Sequence, residues 1–229
     1  MRLNGITDVF FDLDHTLWDF DKNSEIAFEA IFRKKHPKVN TAAFIDKYIP
    51  INQECWKLYQ DDKISQEQLR YMRLRQTFDA LSYAISDADI HQLSENYIEL
   101  LPQSKCLIEG AISILDYLYP KYSLHIITNG FAMVQQKKMK NSGIEHYFAT
   151  ITNSETAGVK KPSPIIFEKA LQAAQTTNAK SVMIGDCIDA DVKGALNAGF
   201  EAIFFNPNQV AVAPEVKQVK HLLDLKNFL

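Results

Sequence analysis

Cysteine is scarce in this chain: Cys55, Cys106 and Cys187 are the only three in 229 residues. Odd in number and far apart, they exclude a disulfide framework and a zinc knuckle, and they fit a reducing cytoplasm. Long apolar runs are also missing, since no stretch approaches the roughly 20 consecutive apolar residues that cross a bilayer. The opening Met1-Arg2-Leu3-Asn4-Gly5 leads straight into a strand-like segment with carboxylates, so no signal peptide is expected. There is no basic tract. The formal net charge is -3, and Lys and Arg are scattered among acidic residues, which argues against a nucleic-acid polymer as partner. The densest basic stretch, Lys137, Lys138 and Lys140, has helical spacing and reads as a solvated helix face. Internal repeats and low-complexity segments are absent as well.

What is present is enough apolar material, 46% of the residues, for a sizeable core in one large or two modest domains. Val9-Phe10-Phe11 is a short apolar run that ends abruptly in Asp12-Leu13-Asp14, the pattern of a buried strand whose C-terminal end carries charge. From about residue 23 to 100 the pattern is helical. Helices are expected over Ser24 to Lys35, over about Thr41 to Tyr59 with a break or bend at Pro50, from a capping box at Ser65-Gln66-Glu67-Gln68 to about Leu81, and from Ser86. After Pro102 strand and helix alternate: helix 110–119, strand 124–127, helix 131–141, strand 149–151, helix 164–176, strand 182–184, helix 189–198 and strand 202–205. Such alternation implies a parallel sheet with helices on both faces. The first strand has nothing to pair with among helices and must join that sheet. The expected architecture is therefore α/β: a Rossmann-like core from residues 1–18 and 105–229, with a helical cap, 19–104, inserted after the first strand.

Four of the five expected strand ends carry residues suited to phosphate chemistry: Asp12-x-Asp14-x-Thr16, Thr128-Asn129-Gly130, Lys160-Lys161-Pro162, and Gly185-Asp186 with Asp189 and Asp191 beyond. In a parallel sheet these ends share one edge and open onto one crevice. Asp12, Asp14 and Asp186 converging there would repel one another unless a divalent cation intervened, and oxygen-only ligation favours Mg2+ over zinc. A carboxylate so neutralised can attack phosphorus. Thr128 and Lys161 are suited to supply the hydroxyl and the cation for the phosphoryl oxygens. His15, between two carboxylates, is expected to point away from the phosphate, and Cys187 to pack beneath its loop.

Asp12-Leu13-Asp14-His15-Thr16-Leu17, Thr128-Asn129, Lys161-Pro162 and Gly185-Asp186-x-x-x-x-Asp191 together resemble the ordered motifs of the haloacid dehalogenase superfamily. The resemblance implies Asp12 as nucleophile and magnesium ligand, Asp14 as general acid and then base with its main-chain carbonyl on the metal, and Asp186 as the remaining ligand. It implies Thr128, Asn129 and Lys161 on the phosphoryl group, and Asp191 orienting Lys161 or a metal-bound water. Dehalogenating members lack the second aspartate, so Asp14 favours phosphate chemistry, and the helical insertion resembles a type 1 cap that closes over small substrates. Trp18-Asp19-Phe20-Asp21, Asn52 to Trp56 followed by Tyr59 to Ser65, and Ile126-Ile127-Thr128-Asn129-Gly130-Phe131 are similar to pyrimidine 5′-nucleotidases that remove noncanonical nucleotides. On that resemblance Phe20, Trp56, Tyr59 and Phe131 are candidates for a base pocket, although cap aromatics also build cores.

The expected partner is accordingly a small phosphomonoester, a nucleotide first, with a sugar-phosphate or phosphoglycolate-type phosphatase or a phosphomutase as the enzymatic alternative. A phosphate- or nucleotide-sensing module is the non-enzymatic one, and binding alone does not require Asp14. An adaptor whose cap is the interaction surface finds no exposed motif in its favour.

Overall fold

The computed structural model describes residues 2–229. The chain begins with strand β1 (Asp8–Phe11) and passes into four long helices: α1 (Phe20–Lys35), α2 (Thr41–Gln60), α3 (Gln66–Ala80) and α4 (Asp87–Leu100). It continues through α5 (Ala111–Leu118), β2 (Ser123–Thr128), α6 (Ala132–Asn141), β3 (Phe148–Asn153), α7 (Ser154–Ala157), α8 (Pro164–Ala174), β4 (Ser181–Gly185), α9 (Gly194–Asn197), β5 (Glu201–Phe205) and β6 (Gln218–Val219). Two compact units result: one holds the chain up to Asp19 and from Lys105 to Leu229, the other Phe20–Ser104.

In the first unit the six strands form one sheet of order β3-β2-β1-β4-β5-β6, every pairing parallel. β1 lies between β2 and β4 because Val9, Phe10 and Phe11 are wholly buried and need neighbours on both edges and cover on both faces. Alternation sends Phe10 and Met183 to one face, against Ile166, Phe167 and Ala170 of α8. Leu124, Ile126, Val182 and Ile184 are likewise buried. Each such side chain contributes about 1.5–3 kcal/mol on leaving water. The sheet is thus a Rossmann-like α/β core. Phe11 pairs with Ile126 and with Ile184, so Asp12, Thr128 and Gly185 end on one edge.

A buried polar knot lies on the same strands. His125 stacks on Phe10 at 4.6 Å, and its Nε2 and Nδ1 meet Asp8 Oδ1 (3.1 Å) and Thr150 Oγ1 (2.9 Å). Thr7 and Thr176 donate to the other Asp8 oxygen. Burial holds the imidazole below its ordinary value of 6.5, with Asp8 opposing. The unfolded chain therefore takes up this proton at higher pH than the folded chain does. The stability is complete above about pH 6.5 and is lost as pH falls towards the folded-state value. His125→Gln is expected to remove this loss: melting curves from pH 7.5 to 5 should show wild type falling by a few degrees more than the variant, at about 2–4 °C per kcal/mol. Parallel curves would remove His125 from that role.

In the second unit the capping box is present as read: Ser65 accepts from the Gln68 N–H while the Gln68 side chain accepts from the Ser65 N–H. Ser86 caps α4 through the Asp89 N–H. α2 runs through Pro50 without the break that was one of the two expectations there. The helices close on an aromatic core in which Phe28 contacts Phe32, Phe44, Tyr48 and Tyr97 with centroids 4.3–5.6 Å apart. Ser24, Tyr97 and Tyr48 form a buried hydroxyl chain. Arg73 is 2% exposed, with Nη1 on Asn52 Oδ1 at 3.2 Å and the guanidinium 5.1 Å from the Tyr97 ring centre.

Candidate active site

The sheet edge gathers the motif residues around one cation. Lys161 is 1% exposed, and its Nζ donates to Asp12 Oδ1 (2.6 Å), Asp191 Oδ1 (2.6 Å) and the main-chain oxygen of Ile127 (2.7 Å). These acceptors match the three protons of the ammonium group. Burial alone would lower the Lys161 pKa, but Asp12 and Asp191 raise it above its ordinary value. The main chain of Lys161 is fixed by Asn129, whose amide accepts from the Lys161 N–H (2.8 Å) and donates to its carbonyl (3.0 Å). The Asn129 side chain is thus engaged with the lysine loop.

Asp12, Asp186 and Asp191 offer carboxylate oxygens within 4.8 Å of one another. Burial pushes Asp12 well above the ordinary carboxylate range, with Lys161 opposing. Burial and then Asp191 push Asp186 up to about 7, with Lys161 and Thr16 opposing. Asp191 has both oxygens engaged, since Oδ2 accepts from the Cys187 N–H at 3.0 Å. Asp186 keeps a longer contact, 3.2 Å from Thr16 Oγ1. The donor set is all oxygen and carries more negative charge than Lys161 balances, which fits a hard divalent cation at Asp12 and Asp186.

The helix expected at 189–198 is divided. Ile188–Lys193 is π-helical and only Gly194–Asn197 is α-helical. The widened turn is accompanied by Asp191 lying back against the strand end, a use of π-bulges common at functional sites. Gly185 admits it, because a Cβ there would stand 2.2 Å from Asp191 Oδ2. Cys187 accepts from the Ala190 N–H through Sγ, and burial raises its thiol to about 11, which makes it a packing residue rather than a reactive one. His15 adopts φ 61°, the left-handed turn that carries the chain past Asp14.

Lys138 corrects the reading of 137–140 as a solvated face. Lys137 and Lys140 are exposed, but Lys138 is 2% exposed with Nζ 2.6 Å from Asp14 Oδ1. One turn earlier Gln135, 1% exposed, donates from Nε2 to Asp14 Oδ2 (2.9 Å) and to Thr128 Oγ1 (2.7 Å). Thr128 Oγ1 also accepts from the Gly130 N–H at 3.1 Å. Both lone pairs are then filled, and the hydroxyl proton remains to be donated. The signal for this pair was in the spacing: buried Phe131, Val134, Gln135, Lys138 and Met139 occupy i, i+3, i+4, i+7 and i+8, so Gln135 and Lys138 stand on the inward stripe.

Of the proposed pocket aromatics, Phe131 belongs to the sheet-containing unit and Phe20, Trp56 and Tyr59 to the helical one. Phe20 and Phe131 are buried, whereas Trp56 and Tyr59 are half-buried and meet edge to face at 5.6 Å. An open pocket of about 290 Å³ on the surface of the helical unit, lined by Gln66, Arg70, Tyr71, His91 and Ser94 among others, contains none of the motif residues.

This sheet edge, with its carboxylates, lysine and threonine in motif order, is that of a hydrolase. Residues 9–205 match the haloacid dehalogenase-like hydrolases, and the chain belongs to that family. It is 34% identical to pyrimidine 5′-nucleotidase PynA of Streptococcus pneumoniae, over 96% of each chain. Pyrimidine 5′-nucleotidase YjjG of Escherichia coli is 31% identical over 86% of this chain and 85% of its own. A crystal structure of the putative HAD-hydrolase YfnB of Bacillus subtilis bound to magnesium superposes with a TM-score of 0.86 at 25% identity, covering 99% of this chain and 98% of that one.

Proposed function

We propose that this enzyme is a magnesium-dependent phosphatase that hydrolyses pyrimidine nucleoside 5′-monophosphates through an aspartyl-phosphate on Asp12. The observation that carries the reading is Lys161 Nζ at 2.6 Å from Asp12, on an edge shared with Asp14, Thr128 and Asp186. Asp12, Asp186 and the Asp14 main-chain carbonyl would hold magnesium, which would supply charge neutralisation for an anion meeting an anion. An Asp12 oxygen forms a bond to phosphorus while the bond from phosphorus to the ester oxygen breaks. The electron pair leaves on that oxygen, and Asp14 supplies its proton. Water then attacks the same phosphorus and gives a proton to Asp14, and the bond to Asp12 breaks to release phosphate. The Thr128 hydroxyl and loop N–H groups such as that of Asn129 hold the phosphoryl oxygens in both steps, and the nearby Lys161 charge stabilises them. Asp191 keeps Lys161 in place.

Selection of the nucleoside is assigned to the helical unit. Among the described residues, Nε and Nη2 of buried Arg73 have no hydrogen-bond partner. A buried cation with unsatisfied donors is costly, and a ligand bearing a carbonyl acceptor, as cytosine, uracil and thymine do at C2, relieves it. Trp56 and Tyr59 offer flat surfaces for stacking. The similarity to PynA and YjjG supports the same substrate class. Among the described residues no helix is long and apolar enough to cross a membrane. The free cysteines are the ground on which we assign the enzyme to the cytoplasm.

The test is a panel of monophosphates with magnesium: pyrimidine and purine 5′-nucleotides, sugar phosphates and phosphoglycolate. Pyrimidine nucleotides are expected to lead in kcat/KM. Equal or better turnover of a sugar phosphate would sink the nucleotidase reading and leave the phosphatase.

A further inference from the structure

We propose that Gln135 and Lys138, consecutive inward residues of α6, are positioning residues that aim the Asp14 carboxyl group at the leaving oxygen. Each takes a different oxygen of the carboxylate, Lys138 Nζ on Oδ1 at 2.6 Å and Gln135 Nε2 on Oδ2 at 2.9 Å. Rotation of the group about its last torsion is thereby stopped, so one arrangement is held instead of many. Gln135 does more than hold Asp14. Its second amide proton goes to Thr128 Oγ1 at 2.7 Å, which ties the proton donor to the hydroxyl that grips the phosphoryl group. One short helix thus sets the distance between the two groups that must act on neighbouring atoms of the ester.

The surroundings of both residues are built for this. Lys138 Nζ lies 4.4 Å from the Trp18 ring centre, and Trp18 is itself fully buried. The ammonium group therefore rests on an aromatic face that limits its movement. Gln135 packs over Gly130, where an added Cβ would stand 2.3 Å from Nε2, so only glycine leaves room for the amide beside the Thr128 loop. Neither side chain belongs to the four motifs, and neither touches Asp12, Lys161 or Asp186 through a hydrogen bond among the described residues. The role is consequently separable from metal binding and from the nucleophile.

This inference rests on the reading of Asp14 as the acid, and the leaving group tests the two separately. kcat/KM reports the steps up to transfer of the phosphoryl group to Asp12. A nucleoside 5′-monophosphate needs a proton on its departing alkoxide, whereas p-nitrophenyl phosphate releases an anion that is stable without one. Lys138→Met is expected to lower kcat/KM on the nucleotide about 10- to 100-fold while changing it less than about threefold on p-nitrophenyl phosphate, and Gln135→Met, which also frees the Thr128 hydroxyl, to lower it on both esters but more on the nucleotide. Lys138→Arg, which keeps a donor on Oδ1, should recover most of the loss. The rise in Tm on adding magnesium should be the same as in wild type for each variant, which also shows that each has folded. Asp14→Asn serves as the reference and should show the same dependence on leaving group, more strongly. Equal losses on both esters in the two Met variants, or no loss on either, would overturn the positioning role while Asp14→Asn still shows the dependence. If Asp14→Asn shows none, the acid reading fails and the positioning role falls with it.

Discussion

Asp12→Asn is expected to abolish phosphate release and, in the absence of metal, to raise the melting temperature. The activity follows from the chemistry: an amide has no anionic oxygen to place on phosphorus, and loss of a nucleophile costs on the order of 10⁴-fold or more. The stability follows from the crowding of three carboxylates within 4.8 Å around one lysine. Burial leaves the Asp12 pKa well above its ordinary value even with Lys161 opposing. The folded chain therefore holds this proton more tightly than the unfolded chain, and stability falls as pH rises above about 4. Asn has no such loss, and its Oδ1 still accepts from Lys161. A gain of about 0.5–2 kcal/mol is the scale for relieving an active-site group of this kind. The measurements are phosphate release on the favoured substrate and calorimetry with and without magnesium. The further rise in Tm on adding magnesium should shrink in the variant, because one of the proposed ligands is gone. Normal turnover by the variant would remove Asp12 from its role.

What the amino-acid order made legible was set by abrupt changes of polarity. Val9-Phe10-Phe11 before Asp12, and Val182-Met183-Ile184 before Gly185-Asp186, announce buried strands with charged ends, because a parallel strand covered on both faces has no other place to put a carboxylate. The convergence of Asp12, Lys161 and Asp191 over more than a hundred residues of sequence then follows from topology. Less was visible where the signal was short or double. β6 is only Gln218–Val219, too brief for any periodicity. The π-helical turn at Ile188–Lys193 has the same composition as an ordinary helix start, and only the engagement of Asp191 distinguishes it. Lys138 was hidden by its neighbours: Lys137 and Lys140 face water, and three lysines in four positions look like one surface. The 3.6-residue period separates them, since Lys138 shares the stripe of Val134 while Lys137 does not.

Lys161→Met should act on stability with the opposite sign to Asp12→Asn. The side chain is wholly buried, and methionine fills the volume of its stem while removing the charge that Asp12 and Asp191 share. Removing one partner of a buried ion cluster leaves the others uncompensated, at a cost of about 3–5 kcal/mol. For a chain of this length that is a fall in Tm of roughly 6–20 °C. Turnover should also fall by about 10²- to 10³-fold or more, since no other side chain on the sheet edge offers a cation to the phosphoryl oxygens in the position that Lys161 holds. The two variants together decide whether charge balance or packing governs this edge. If charge governs, adding Asp12→Asn to Lys161→Met restores part of the lost stability, because fewer carboxylates are left to repel, while turnover stays lost. If packing governs, the double variant is no more stable than Lys161→Met alone. Magnesium is a further arm: at the proposed site a cation on Asp12 and Asp186 would take over part of the neutralisation, so it should raise the Tm of Lys161→Met by more than it raises that of wild type.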